Sequence, residues 1–231
     1  CDSGVVKLTF SKSLSIPGYT STRGIISAIP AKDWQIIPCF TSFKDLPKNA
    51  SPDNNKPSTL GKYFLENYDV KIDDTKEIII TAGSKIGIQM SLMTCLNPGD
   101  EVIIHEPAWV SFPEQVKFCH GIPIQIPYDE TIFNFEKYIS KKTKVIIINS
   151  PHNPSGKIYS LEELSFLYGL AKKYNLMILS DEAYSDFLPD GDDFVSFANL
   201  DTKKQNSIVV NSISKNFGIS GWRIGYVIGN E

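Results

Sequence analysis

Arginine is almost absent from this 231-residue chain, Arg23 and Arg223 being the only two. Planar, fork-shaped grips on phosphate or carboxylate are therefore few, and each must be traced to one of those positions. Histidine is scarce as well. His105, His120 and His152 have no metal-ligand spacing with one another or with Cys1, Cys39, Cys95 and Cys119, which argues against a metal site. The cysteines form no CxxC pair and read as free thiols of a reducing compartment. No run of eighteen apolar residues is present to span a membrane, and no charged-then-apolar leader opens the chain, so a cytoplasmic location is expected. A net charge of −3 offers no basic surface to nucleic acid.

Apolar residues make up 42% of the chain, enough for one large domain or a domain and a half. Apolar runs occur at Glu77–Thr81, Glu101–His105, Ile122–Pro127, Lys144–Asn149, Leu176–Ser180, Ser207–Asn211 and Arg223–Ile228. Most are continuously apolar rather than alternating, the pattern of strands buried on both faces of a mostly parallel sheet. Helical periodicity fills Ser84–Leu96 and Ser160–Tyr174, the second opening with a serine cap and Glu163 three residues on. Another helix is expected near Ser58–Tyr68, after a turn at Ser51–Asn55. The fold class that follows is a three-layer α/β/α domain over residues 51–231 with a mostly parallel, seven-stranded sheet. Residues 1–50 show no clear period and read as an N-terminal arm or part of a smaller domain. The chain opens on Cys1 and stops at Glu231 just past a strand, which suggests part of a longer protein whose C-terminal small domain lies outside it.

Ser214-Lys215-Asn216-Phe217-Gly218, followed by Gly221-Trp222-Arg223-Ile224-Gly225, carries the most chemistry. Lys215 follows an apolar strand, where desolvation frees the neutral amine that attacks carbonyls. Arg223 supplies a fork for a phosphate. An amine beside an anion clamp points to a phosphorylated aldehyde, of which pyridoxal 5′-phosphate is the usual one. Ser212-Ile213-Ser214-Lys215 also fits the serine–lysine pattern of acyl-enzyme hydrolases, whose companion motifs are missing here.

Other strand ends are ambiguous taken one at a time. Thr81-Ala82-Gly83-Ser84-Lys85 passes from strand through glycine into helix, a common turn and also a phosphate site. Trp109 either packs or stacks on a flat ring, worth on the order of 1 kcal/mol beyond burial. Asn149–Gly156 is a rigid turn, or one that presents the Asn153 amide to an oxygen. Asp181 ends an apolar strand, where a carboxylate caps a loop or faces a cation such as a protonated pyridine nitrogen. Tyr184 lies three residues on, within reach of the same oxygen as Asn153.

Three segments, Asn149–Gly156 (N-x-P-x-N-P-x-G), Ser180–Tyr184 (S-D-E-x-Y) and Ser212–Gly225 (S-x-S-K-x-x-G-x-x-G-x-R-x-G), resemble in order and spacing the class I/II pyridoxal-phosphate-dependent aminotransferases of the aspartate aminotransferase fold type. The resemblance runs from about Leu60 to Gly229 and implies roles. Lys215 forms the Schiff base and moves the substrate proton. Asp181 pairs with the pyridine nitrogen, while Asn153 and Tyr184 donate to the phenolic oxygen. Trp109 stacks on the ring. Ser84 and Lys85, through backbone amides, and Ser212, Ser214 and Arg223, through side chains, cradle the phosphate. His152 receives no role. The substrates implied are an amino acid and a 2-oxo acid, and the assembly a homodimer. A lyase or decarboxylase on the same fold, or a non-catalytic module, shares these motifs. The chain departs from the family in having no second arginine in a matching context for the substrate carboxylate. It also lacks a tyrosine in Ser51–Asn55 and a clear glycine-containing substrate loop.

Overall fold

Continuously apolar strands call for cover on both faces, and the seven runs of this chain pair edge to edge into a single sheet. The computed structural model describes residues 59–189, 193–216 and 218–230. The strands are β1 (Ile78–Thr81), β2 (Glu101–His105), β3 (Ile122–Ile126), β4 (Thr143–Asn149), β5 (Met177–Asp181), β6 (Ser207–Ser212) and β7 (Gly225–Ile228). Their order is β1-β7-β6-β5-β4-β2-β3. Pairs β2–β3, β2–β4, β4–β5 and β5–β6 are parallel. β7 runs antiparallel to β1 and β6. The mostly parallel sheet is thus as expected, with one reversed strand near an edge.

Side chains alternate across each strand and build two cores. Val102, Ile104, Val145, Ile147, Leu179, Val210 and Val227 face a cluster that includes Ile88 and Leu92 of α2 (Ser84–Cys95) and Phe112 and Val116 of α3 (Ser111–Phe118). α2 comes so close that a Cβ on Gly87 would lie 2.8 Å from Val227 Cγ2. The alternate residues Ile103, Ile146, Ile178 and Val209 are equally buried. Over β5 and β6 the second layer is formed by α4 (Leu161–Tyr174) and α5 (Phe197–Leu200). α4 buries Leu164, Leu167, Leu170 and Ala171, a stripe at helical spacing. Its start follows the expected cap: Ser160 Oγ accepts the Glu163 N–H at 3.2 Å, and Glu163 Oε2 accepts the Ser160 N–H at 2.9 Å.

Some boundaries moved. β5 extends to Asp181, whose Cα pairs with those of Asn149 and Val210. β7 begins at Gly225 and not at Arg223, because Arg223 adopts a left-handed conformation (φ 52°) after a 3₁₀ turn at Ser220–Trp222. A 3₁₀ helix, Ile132–Tyr138, and α3, with Pro113 in its first turn, were not signalled by periodicity.

Contacts divide the chain into two units between Lys76 and Glu77. In the first, α1 (Thr59–Tyr68) gathers the rings of Tyr63, Phe64 and Tyr68, with centroids 5.1–5.8 Å apart. The expected arm over residues 1–50, the turn at Ser51–Asn55, Arg23, Cys1 and Cys39 lie outside the described residues. Because β4 is buried on both faces, Ile146→Ala is expected to cost about 2–5 kcal/mol. Ser160→Ala, which removes one cap, should cost about 1 kcal/mol. Urea unfolding of both variants checks the ratio, and equal losses would contradict this placement of the core.

Candidate functional site

Parallel strands deliver their carboxyl ends to one edge of the sheet, and the reversed β7 brings its amino end to the same edge. There Thr81 and Ser212 both stand opposite Gly225, and Asn149 stands beside Asp181. A cleft of about 290 Å³ opens at this edge. Its walls contain every residue given a role from the sequence: Ser84, Lys85, Trp109, Asn153, Asp181, Tyr184, Ser212, Ser214, Lys215 and Arg223. Asn149, Ala183 and Ser220 complete it.

One end is built for an anion. Gly83 (φ 89°) is the N-cap of α2 and provides no side-chain cap, so the first-turn amides remain available. A Cβ on Gly225 would stand 2.4 Å from the Ser84 nitrogen, so only glycine lets the sheet approach the start of α2 this closely. A Cβ on Gly83 would lie 2.5 Å from Arg223 Nη2, which places the guanidinium directly over this turn. Arg223 Nη1 donates to the Ser220 carbonyl at 3.1 Å. Ser214 Oγ is buried with no partner. Ser212 Oγ accepts the Ser214 N–H at 3.1 Å and donates to the Ile224 carbonyl at 3.3 Å. That hydroxyl is thus committed to a carbonyl and not to a base, as a serine–lysine hydrolase would need.

Asp181 lies in the floor of the cleft, 6% exposed. Its Oδ1 accepts the Ala183 N–H at 3.1 Å. Burial pushes its carboxyl up to about 7, and that backbone hydrogen bond only partly opposes the effect. The adjoining Glu182, 1% exposed, points away into a polar nest. It accepts from Ser180 Oγ (3.0 Å), Ser196 Oγ (2.8 Å) and the Phe197 N–H (2.8 Å). Burial pushes it, too, up to about 7, with the charge of Asp181 adding to the rise.

Above the floor, Asn153 Nδ2 lies 3.5 Å from the Tyr184 hydroxyl. Lys215 Nζ stands 5.6 Å from the centre of the Tyr184 ring. Lys215 is the third residue of α6 (Ile213–Asn216), a single turn on the rim, and is exposed. The desolvated setting expected for it is absent among the described residues. Trp109 is held edge-on by Phe112, with centroids 5.4 Å apart, and Lys85 Nζ lies 5.1 Å from its ring centre.

Sequence reading missed the asparagine that ties the floor to the wall. Asn149 Nδ2 donates to the Asp181 carbonyl (2.9 Å), and its Oδ1 accepts the Asn153 N–H (2.7 Å). Glu182 was also missed, although a second acid after an apolar strand was a visible signal. His152 is buried and turned into its own loop, Nδ1 lying 2.7 Å from Ser155 Oγ. Burial lowers its pKa.

A sheet edge that brings together an amine, a buried acid and an anion cradle defines a site for a phosphorylated, ring-bearing carbonyl compound. The chain belongs to the class I and II aminotransferase family, which it matches over residues 57–231. It is 37% identical over 180 residues to an aspartate aminotransferase of Sulfolobus acidocaldarius, covering 74% of this chain and 44% of that protein. An aspartate aminotransferase of Bacillus sp. strain YM-2 is 42% identical over 161 residues, covering 67% and 41%. The crystal structure of an aromatic aminotransferase from Pyrococcus horikoshii superposes with a TM-score of 0.71 at 30% identity, covering 74% of this chain and 47% of that one. The chain therefore spans less than half the length of these relatives.

The family's cofactor is pyridoxal 5′-phosphate. The residues fit it on observations independent of the family: an orphaned serine hydroxyl and a side-chain-free helix start at the anion end, and a buried acid in the floor.

The acids make a pH prediction. Asp181 and Glu182 hold protons in the folded state up to about pH 7. The unfolded chain releases them near pH 4. Their contribution to the stability of the cofactor-free protein is therefore fully present below about pH 4 and falls as pH rises to about 7, by a few kcal/mol. Asp181→Asn should remove its share and leave that of Glu182. Thermal unfolding at pH 5 and 8 decides: an undiminished slope in the variant counts against the assignment.

Gly225→Ala should weaken pyridoxal phosphate binding at least about tenfold, since Ser84 must retreat. Unchanged affinity by fluorescence titration would contradict the cradle geometry.

Proposed function

We propose that this chain is the cofactor-binding part of a pyridoxal-phosphate-dependent aminotransferase that moves an amino group from an amino acid to a 2-oxo acid. One observation carries the reading: ten residues chosen from five separate sequence segments line a single cleft at the carboxyl edge of the sheet. When bound, the cofactor supplies an aldehyde that captures amines and a ring that accepts electron density.

The chain's own residues supply the rest. Ser84 and Lys85 offer amides to the phosphate, with Ser212, Ser214 and Arg223 around it. Trp109 limits movement of the ring. Asp181 holds a positive charge at the ring nitrogen. That partner favours its ionised form, so binding reverses the rise in its pKa. Asn153 and Tyr184 donate to the phenolic oxygen. Lys215 would bond covalently to the carbonyl carbon, whose oxygen would leave as water, and, once released, would hold and move the proton at the substrate Cα. Its exposed position on a single helical turn leaves Nζ free to serve both tasks. A homodimer working on amino acids in the cytoplasm completes the proposal; the free thiols of Cys95 and Cys119 suit a reducing compartment.

The full-length protein should carry covalently bound pyridoxal phosphate, which borohydride fixes to the peptide containing Lys215. Lys215→Ala should lose that adduct and about 10²–10⁴-fold of turnover. Amino acid alone should convert the bound cofactor once, to its aminated form. Continuous release of ammonia and a 2-oxo acid would instead identify a lyase, and no adduct at all would sink the proposal.

A further inference from the structure

Three polar side chains behind the cleft wall join the two segments that carry Tyr184 and Lys215. Ser185 is 3% exposed and Asn211 1%. Asn211 Nδ2 donates to Ser185 Oγ at 3.2 Å, and Asn211 Oδ1 accepts the Ser212 N–H at 2.6 Å. Asn216, the residue after Lys215, places its Nδ2 3.5 Å from the same Ser185 oxygen. Its Oδ1 is buried with no partner. Ser185 Oγ would then face two donors while its own proton has no destination. Turning the Asn216 amide over brings its oxygen to Ser185 and gives that proton an acceptor. The completed chain runs Asn211 N–H to Ser185 oxygen, and Ser185 O–H to Asn216 oxygen.

We propose that Ser185 is a positioning residue, clamping the turn that bears Tyr184 to the helix that bears Lys215 through Asn211 and Asn216. None of the three lines the cleft. All are one residue from one that does: Ser185 follows Tyr184, Asn211 precedes Ser212, and Asn216 follows Lys215. The turn itself is set by backbone bonds, Ser185 N–H to the Glu182 carbonyl at 3.0 Å and Phe187 N–H to the Tyr184 carbonyl at 2.8 Å. Nothing in those bonds fixes its distance from α6; the serine hydroxyl does. α6 has only one turn, too short to hold itself in place by helix propensity. The clamp therefore sets the spacing between the Tyr184 hydroxyl and the Lys215 amine. Buried polar networks of this kind couple their members, so that loosening one loosens the others.

The inference rests on the cofactor reading for one of its two readouts, so the test separates them. In the full-length protein with pyridoxal phosphate bound, the midpoint of its absorbance change with pH is measured for Ser185→Ala, Ser185→Cys, Asn216→Ala and the Ser185→Ala/Asn216→Ala double variant. A donor to an ionisable oxygen favours the deprotonated form, so a loosened Tyr184 raises the midpoint. Each single variant should raise it by about half a pH unit or more, roughly threefold in proton affinity. Ser185→Cys should behave like Ser185→Ala, because a thiol fills the space but donates poorly. The double variant should go no further than either single one. In the cofactor-free protein, amide exchange at residues 183–187 and 213–216 should accelerate together, by about 5–30-fold. A fall in melting temperature with unmoved midpoint and unmoved exchange at 213–216 overturns the proposal, as do additive effects in the double variant. If Ser185→Ala does not fold, Ser185→Cys and Asn216→Ala decide by the same two readouts. Failure of the unaltered protein to bind pyridoxal phosphate would overturn the cofactor reading alone, and the exchange measurement would still judge the clamp.

Discussion

A carboxylate held out of water at the end of a central strand sets the terms for everything around it. Asp181 sits between β4 and β6, where water cannot solvate it and one backbone N–H is its hydrogen bond among the described residues. Desolvation of a charge there costs several kcal/mol unless a cation answers it. An acid there costs the fold stability and leaves the cleft floor ready for a cationic partner. Glu182 shows the contrast. It is buried as deeply but surrounded by two hydroxyls and an amide, and it braces the start of α5. Adjacent acids thus divide their labour, one towards the cleft and one towards the fold.

Around that floor, the walls are positioned by asparagines as much as by the backbone. Asn149 at the end of β4 and Asn211 near the end of β6 each use both halves of the amide, the oxygen on a backbone N–H and the nitrogen on a neighbouring segment. An amide is the one neutral side chain that offers an acceptor and donors on a rigid plane, so it can fix two loops with one residue. The anion end is shaped by absence of side chain instead, at Gly83 and Gly225.

Much of this was legible in the sequence, for reasons that differ by element. The buried strands showed as unbroken apolar runs, and α4 announced itself through Ser160 and Glu163, because both signals are local. The cleft residues were legible because they follow strand ends in fixed short motifs. What escaped depended on tertiary neighbours. α3 hides behind Pro113, which is tolerated in a first helical turn but reads as a breaker. Arg223 looked like the start of a strand, and only its left-handed backbone turns it over Gly83. The exposure of Lys215 was invisible, since an apolar strand before a residue says nothing about how far past the sheet edge the next turn reaches. Ser185 and Asn216 carry no motif of their own; their partners are 26 and 31 residues distant along the chain.

The reversal of β7 has a consequence of its own. Had the chain crossed over to run parallel, as it does after β2, β4 and β5, Arg223 would enter its strand from the opposite edge, roughly 13 Å away. Turning back directly instead keeps the amine and the guanidinium on one short ribbon of chain. Their spacing is then governed by the geometry of a single connection rather than by the packing of a whole helix. Lys215 and Arg223 are in this sense one mechanical part, protected against drift by the register of the sheet itself.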